Sequence, residues 1–182
     1  VILMNVAFVI GRFQPVHKGH LELLEACKEF DKVIIMFGSS NESRTKKNPL
    51  TFEERAVLMT AALPTDISKK AVAVPLADNE SWITWIGQVK DNLRQLTKET
   101  DKITFVAFNK DEATTEMNKF VEDNGFELLS VCPKEKTHFV NATAIRAQLA
   151  NGVLPEDIEQ LHESTQKLIK EFELQNVFSQ ST

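Results

Sequence analysis

Five short runs of aliphatic and β-branched residues recur along the chain: VAFVI at 6–10, KVIIMF at 32–37, AVAV at 71–74, ITFVAF at 103–108 and ELLSV at 127–131. They are largely apolar throughout, the pattern of strands covered on both faces, not the in-out alternation of a half-exposed sheet. Helical patterns fill the gaps. Apolar residues line one face at 20–30 (Leu21, Leu24, Phe30), 52–62, 81–96 and 112–124, the last closed by Gly125. Strand and helix in alternation predict an α/β fold, a Rossmann-like doubly wound parallel sheet of about five strands.

Local signals sharpen the boundaries. Thr51 and Glu54 have the T-x-x-E spacing of a capping box, after Pro49. A further helix is predicted from Asn141–Thr143 to Asn151-Gly152. Pro155 then sits in the first turn of a last amphipathic helix carrying Ile158, Leu161, Leu168, Ile169 and Phe172. With 182 residues there is material for one ordinary core. We expect a principal domain over 1–152, with 153–182 as a helical extension packed on it. The apolar face of that extension needs a partner, either the domain itself or a second copy of the chain in a homo-oligomer.

Apolar residues make up 42% and charged residues 26%, so neither disorder nor a membrane class is indicated. The net charge of −5 argues against a nucleic-acid coat and makes any anion site a local feature. VILMNVAFVI lacks the basic start and small-residue cleavage site of a signal peptide, and Met4 is a candidate natural start. No stretch approaches the ~20 apolar residues needed to span a bilayer. Cys27 and Cys132 form no CxxC pair and are expected as small core residues in a reducing, cytoplasmic setting.

Directly after the first apolar run comes GRFQPVHKGH, residues 11–20. In an open α/β sheet the first strand-to-helix turn is the usual phosphate cradle. Gly11 permits close backbone approach to a ligand. Gly19-His20 opens a helix whose free N–H groups and dipole favour an anion, and His17 and His20 share one side of that start. The dipole supplies only about 0.3–2 kcal/mol, so side-chain donors must do most of the holding: Arg12, Lys18 and the two imidazoles. The turn is neither a P-loop nor a GxGxxG fingerprint.

This strand-turn-HxGH-helix resembles the nucleotidyltransferase superfamily. The longer GRFQPxHxGH is similar to the archaeal-type nicotinamide mononucleotide (NMN) adenylyltransferases. Further matches run through most of the first 150 residues: GSSNESRTKKNPLTFEER (38–55), DNESW (78–82), FNKD (108–111) and VNATAIR (140–146). The resemblance implies adenylyl transfer from ATP to NMN, giving NAD and pyrophosphate in NAD biosynthesis or salvage, by direct in-line displacement. Mg²⁺ would arrive with ATP, without a metal site of the protein's own.

Residue by residue, the resemblance assigns His17, His20, Arg12 and Arg146 to catalysis. Gly11, Arg12, His17, Lys18, His20, Asn109, Asn141, Thr143 and Arg146 would bind ATP, helped by backbone N–H groups of the second helix start. Position 141 is Asn where the family pattern usually has Ser. Asn79 and Trp82 match the pair that holds the nicotinamide nucleotide, with Phe13 and Ser39 as neighbours. Arg55 would meet the NMN phosphate or pair with Glu54 or Asp78. A phosphate beside a histidine raises its pKa from the ordinary ~6.5, so turnover is expected to decline as pH rises beyond the bound-state value.

Blander readings stand beside these. His17 and His20 could be a metal pair, but no third ligand follows a recognisable pattern such as HExxH. Trp85 is expected in the core. Arg44, Lys46 and Lys47 form a solvated loop or a lid over polyphosphate, His138 is an exposed turn residue, and His162 is structural or solvent-facing. The length leaves no room for the second hydrolase domain of some family members. Rival functions are adenylyl transfer to nicotinate mononucleotide, a pantetheine phosphate or flavin mononucleotide, and a non-catalytic nucleotide sensor.

Overall fold

The computed structural model describes residues 3–134 and 140–181. Five strands, β1 (Asn5–Gly11), β2 (Lys32–Phe37), β3 (Ala71–Pro75), β4 (Lys102–Phe108) and β5 (Glu127–Val131), form one sheet in the order β3-β2-β1-β4-β5, every pair parallel. All five lie where the apolar runs predict them. The chain winds outward from β1 to β3, then crosses back to lay β4 on the other side of β1. That reversal opens a crevice beyond the carboxyl ends of β1 and β4, where ligands of doubly wound sheets bind.

Alternation along the strands explains the layers. Ala7, Val9, Val33, Ile35 and Phe37 point to one face and pack against α1 (Lys18–Glu25) and α2 (Phe52–Ala62) through Leu24, Leu58 and Met59. Val6, Phe8, Ile34 and Met36 point to the other, against Ile86, Val89 and Leu93 of α4 (Trp82–Leu96) and Val121 of α5 (Glu112–Asp123). A sheet covered on both faces needs apolar residues at successive positions, which is why the runs lack polar alternation. In α2 the capping box is complete: Glu54 N–H donates to Thr51 Oγ1 at 3.2 Å and Thr51 N–H to Glu54 Oε1 at 2.8 Å.

Several boundaries differ from expectation. α1 stops at Glu25, not at residue 30; the chain tightens into i→i+3 turns, Cys27 N–H donating to Leu24 O, and Phe30 reaches the core from that turn. A four-residue helix, α3 (Thr65–Ser68), follows Pro64 and is too short to leave a periodic signal. After α6 (Ala142–Ala150), the single last helix predicted from Pro155 is three pieces: a 3₁₀ turn at Pro155–Asp157, α7 (Glu163–Glu171) and α8 (Gln175–Gln180). His162 caps α7 by accepting Ser164 N–H on Nδ1, and Glu173 at φ 54 breaks the chain before α8. Cys27 is buried, but Cys132 is exposed just past the edge strand β5, contrary to its expected place in the core.

Residues 153–181 join the same core as the first sheet face, through Ile158, Leu161, Ile169, Leu174 and Phe178. Their backbone also touches the first turn of α1, Lys18 N–H donating to Gln160 O at 2.8 Å. No helix among the described residues is long and apolar enough to cross a membrane. Ile169 is fully buried, so Ile169→Ala should cost about 2–5 kcal/mol in urea unfolding. A loss below about 0.5 kcal/mol, the usual range of surface substitutions, would show that the C-terminal segment does not share the core's cooperativity.

Candidate active site

The turn after β1 is built around side chains that leave it little freedom. A Cβ on Gly11 would lie 2.7 Å from the Phe13 ring, so the ring closes over the glycine backbone. Phe13, at φ 50, and Ser39, at φ 51 just past β2, both hold left-handed backbone, a conformation costing non-glycine residues about 1–3 kcal/mol. Such strain persists only where surrounding contacts over-determine it. Here the buried Gln14 amide pairs with both Leu50 N–H and Leu50 O, each at 2.9 Å. Arg55, only 1% exposed, donates from Nη1 to Arg12 O and Gly38 O, each at 2.7 Å. The carboxyl ends of β1 and β2 are thereby bound together from beneath.

The two histidines interlock. His17 is the N-cap of α1: its Nδ1 accepts Gly19 N–H at 3.1 Å and His20 N–H at 3.3 Å, while His20 Nδ1 accepts His17 N–H at 3.1 Å. This is a capping box made from imidazoles. Its rings stack with centroids 3.6 Å apart, and Phe13 meets His20 edge-on at 4.8 Å. Gly19 is required by the same geometry, since a Cβ there would sit 2.9 Å from His17 Cε1. A nitrogen that accepts cannot carry the proton, so each neutral ring is the Nε2–H tautomer and presents a donor away from the helix.

Both histidines are strongly disfavoured as cations. Burial first, then the Lys110 ammonium, pushes His17 down to about 3. Burial, His17 and Lys110 push His20 well below its ordinary value. The sequence-based expectation began from ordinary values near 6.5; the folded pair begins as two neutral donors. The helix start differs too. Lys18 N–H is taken by Gln160 O, and Gly19 and His20 N–H by His17, so the first turn of α1 has no free amide for an anion.

The start of α6 supplies what α1 does not. Asn141 caps it by accepting Ala144 N–H at 2.8 Å, and no described residue accepts the N–H groups of Ala142 and Thr143. Arg146, 9% exposed, donates to Gln14 O at 3.0 Å and to Thr143 Oγ1 at 3.3 Å. Burial, then Arg12, lowers the Arg146 pKa; burial lowers Arg55 to about 10, Glu53 and Asp78 opposing and Arg12 adding to the effect. Arg12 is therefore felt as a like charge by both Arg55 and Arg146. None of the three pairs with a carboxylate among the described residues.

Two cavities meet here. One, of about 390 Å³, is lined by His17, His20, Lys110, Asn118, Asn141, Thr143 and Arg146. The other, of about 550 Å³, is lined by Ser39, Asp78, Asn79, Trp82 and Trp85. Ile10, Gly11, Arg12, Thr114 and Met117 belong to both walls. Trp82 and Trp85 meet edge-on at 5.4 Å, and Trp82 also meets Phe120 at 5.2 Å. Trp85 was expected in the core; it is half-buried there and lines the cavity as well.

The structure thus brings Gly11, Arg12, His17, His20, Asn141, Thr143 and Arg146 around one cavity, and Ser39, Asn79 and Trp82 around its neighbour. Phe13 faces the histidine cavity, not the tryptophan one. Lys18 is exposed and lines neither cavity. Asn109 also lines neither; it accepts the Thr115 hydroxyl at 2.7 Å. Arg55 is committed to backbone carbonyls, and Glu54 pairs with Arg44 at 2.7 and 3.0 Å instead. Sequence reasoning passed over Gln14, Thr114, Met117 and Asn118, and named Asp78 only as a partner for Arg55. The i, i+3, i+4 spacing of Thr114, Met117 and Asn118 marked a single face of α5. His138 lies outside the described residues. No cluster of three or more His, Cys, Asp or Glu among the described residues is placed to hold a metal ion.

An HxGH helix start at the switch point of a parallel sheet, facing a second cationic helix start, defines a nucleotidyltransferase site. The chain belongs to the cytidylyltransferase-like family, whose model matches residues 8–148. It is 32% identical over 151 residues to the nicotinamide-nucleotide adenylyltransferase of Pyrococcus horikoshii, covering 82% of this chain and 75% of that one. The Pyrococcus furiosus enzyme of the same name is 31% identical, over 92% of this chain and 84% of its own. In structure the chain is similar to a bifunctional NMN adenylyltransferase/ADP ribose pyrophosphatase from Francisella tularensis, with TM-score 0.76 and 25% identity, covering 97% of this chain and 52% of that one.

The cap predicts an acid response. His17 ionises near 3 when folded and near 6.5 when unfolded. Between those values the unfolded chain binds the extra proton, so stability falls as pH drops below 6.5, by up to about 1.4 kcal/mol per pH unit for each such histidine. His17→Asn keeps an acceptor at the capping position but does not titrate, and unfolding measured from pH 7 to 4.5 should show a shallower decline. An unchanged slope would mean that His17 is not held neutral.

Proposed function

We propose that the protein joins ATP and NMN to give NAD and pyrophosphate, a step of NAD biosynthesis or salvage. The observation that carries this reading is the pair of cavities sharing the Gly11–Arg12 wall. A dinucleotide has two nucleosides flanking one pyrophosphate, and the cavity pair has the same division.

ATP occupies the histidine cavity and NMN the tryptophan cavity. An oxygen of the NMN phosphate attacks the α-phosphorus; that P–O bond forms as the bond to the β-phosphate oxygen breaks, and pyrophosphate leaves with the electron pair. No covalent enzyme intermediate is required, only alignment and charge neutralisation. Arg12, on the shared wall, faces the phosphates of both substrates. His17 and His20 donate Nε2–H bonds to non-bridging oxygens, and His20, supported by Phe13, stands nearest the α-phosphorus. Arg146, Thr143 and the Ala142 and Thr143 amides hold the departing phosphates. Mg²⁺ delivered with ATP would neutralise further charge, coordinated by phosphate oxygens and water. Trp82 stacks on the cationic nicotinamide, worth about 0.5–2 kcal/mol. Arg55 acts as a positioning residue beneath the Arg12 carbonyl. A cytoplasmic location belongs to the same reading, supported by two cysteines that are both free thiols.

Incubation with ATP, Mg²⁺ and NMN should yield NAD and pyrophosphate in equal amounts. His20→Ala should lower kcat by about 10²–10³-fold, the usual cost of one preorganised donor. NAD failing to form while another acceptor is adenylylated would redirect the assignment, and pyrophosphate release from none would leave a nucleotide-binding role. If the histidines act as neutral donors, kcat should show no decline between pH 7 and 8.5 attributable to them. A fall with a midpoint in that range, abolished in His20→Gln, would establish imidazolium as the working form.

A further inference from the structure

The nicotinamide and nicotinate mononucleotides share a ring, a ribose and a phosphate, and differ only in a carboxamide against a carboxylate. Stacking on Trp82 senses the pyridinium ring, which both possess. Asn79 does not separate them either. Its Oδ1 already accepts Ser81 N–H at 3.0 Å, which leaves that oxygen one lone pair and leaves the Nδ2–H₂ donor as the group of Asn79 wholly unengaged by the described residues. A donor serves an amide oxygen or a carboxylate oxygen alike, and favours the charged one. Arg12 belongs to the wall shared with the histidine cavity, on the phosphate side. With donors alone, the cavity would prefer the acid.

Asp78 reverses that preference. Among the described residues it is the only acidic one lining the tryptophan cavity, and none of them donates a hydrogen bond to its carboxylate. Its backbone is fixed on two sides. Asp78 N–H donates to Asn41 Oδ1 at 2.9 Å, and the preceding Ala77 is bracketed by Gln88, which accepts Ala77 N–H and donates to Ala77 O, each at 3.3 Å. A short side chain on an anchored backbone next to Asn79 cannot withdraw far from the cavity. It offers only acceptor atoms, which suit a carboxamide N–H₂ and oppose a second carboxylate.

We propose that the Asp78 carboxylate makes the acceptor cavity select the carboxamide mononucleotide over its carboxylic-acid counterpart. This rests on the proposed use of the tryptophan cavity for a pyridine mononucleotide. Two unit charges several ångström apart across a partly solvated cleft correspond to roughly a 3- to 50-fold preference. Asp78 is exposed, so the lower part of that range applies, and the preference should shrink as salt is raised.

The chain has two tryptophans, and both line this cavity, so quenching of intrinsic fluorescence reads mononucleotide binding without turnover. Dissociation constants for NMN and nicotinate mononucleotide should be measured this way for the wild type and Asp78→Asn, together with kcat/KM for each acceptor. The expected result is a wild-type preference for NMN that moves toward the acid by at least 3-fold in the variant, in both ratios. An unchanged ratio, including equal weakening for both ligands as a ribose-binding role would give, overturns the proposal. Binding that follows the predicted ratio without NAD formation would refute the proposed reaction while leaving the selectivity intact. No quenching by either ligand would end both.

Discussion

Arg12, set within electrostatic reach of both Arg55 and Arg146 at the carboxyl end of a buried strand, with no ion pair from any of the three to a carboxylate among the described residues, is the constraint around which the rest of the site is arranged. Arg55 rests on backbone carbonyls, Arg146 on a carbonyl and a hydroxyl, and Arg12 on neither. In a chain of net charge −5 this concentration is local, and it is costly to maintain in the absence of an anion. A phosphate chain is the counter-charge that this geometry accommodates. Burying Arg55 beneath the site also fixes the Arg12 and Gly38 carbonyls, so the element that raises local positive potential also sets the shape of the wall.

The histidines use one set of atoms for two purposes. Their Nδ1 atoms complete the start of α1, and that commitment leaves Nε2–H as the only group they can present to a ligand. Fold and site are then coupled through the tautomer. Proton uptake at Nδ1 would disrupt the cap as well as change the charge, which is why burial and Lys110 reinforce the neutral form. The proposed phosphate cradle is consequently divided between two helix starts: α1 contributes imidazole donors with its amides already occupied, and α6 contributes the Ala142 and Thr143 amides, which no described residue accepts.

All five strands were legible because residues buried on two sheet faces must be apolar at consecutive positions, and the composition of each run records that directly. The T-x-x-E box was equally legible, since both of its hydrogen bonds are local. The three-part C-terminus was not: Glu173 turns the chain in the left-handed region without a glycine to announce it. Within the site, GRFQPVHKGH pointed to the correct end of the sheet. Arg55 illustrates the limit, because an arginine four residues after a cap can face a ligand or a backbone, and only the placement of Gly38 and Arg12 decides which. Asp78 and Asn118 gain meaning only when strands distant in sequence bring them to cavity walls, Asp78 to the tryptophan cavity and Asn118 to the histidine cavity.

The central claim is that one phosphate-binding wall, centred on Gly11 and Arg12, joins two nucleoside cavities. The most direct measurement is a crystal structure of the protein with NAD. The account predicts the pyrophosphate against Arg12 and the α6 start, adenosine on the side of the histidine cavity, and the nicotinamide ring stacked on Trp82. A dinucleotide bound elsewhere on the molecule, or lying wholly within one of the two cavities, would contradict it.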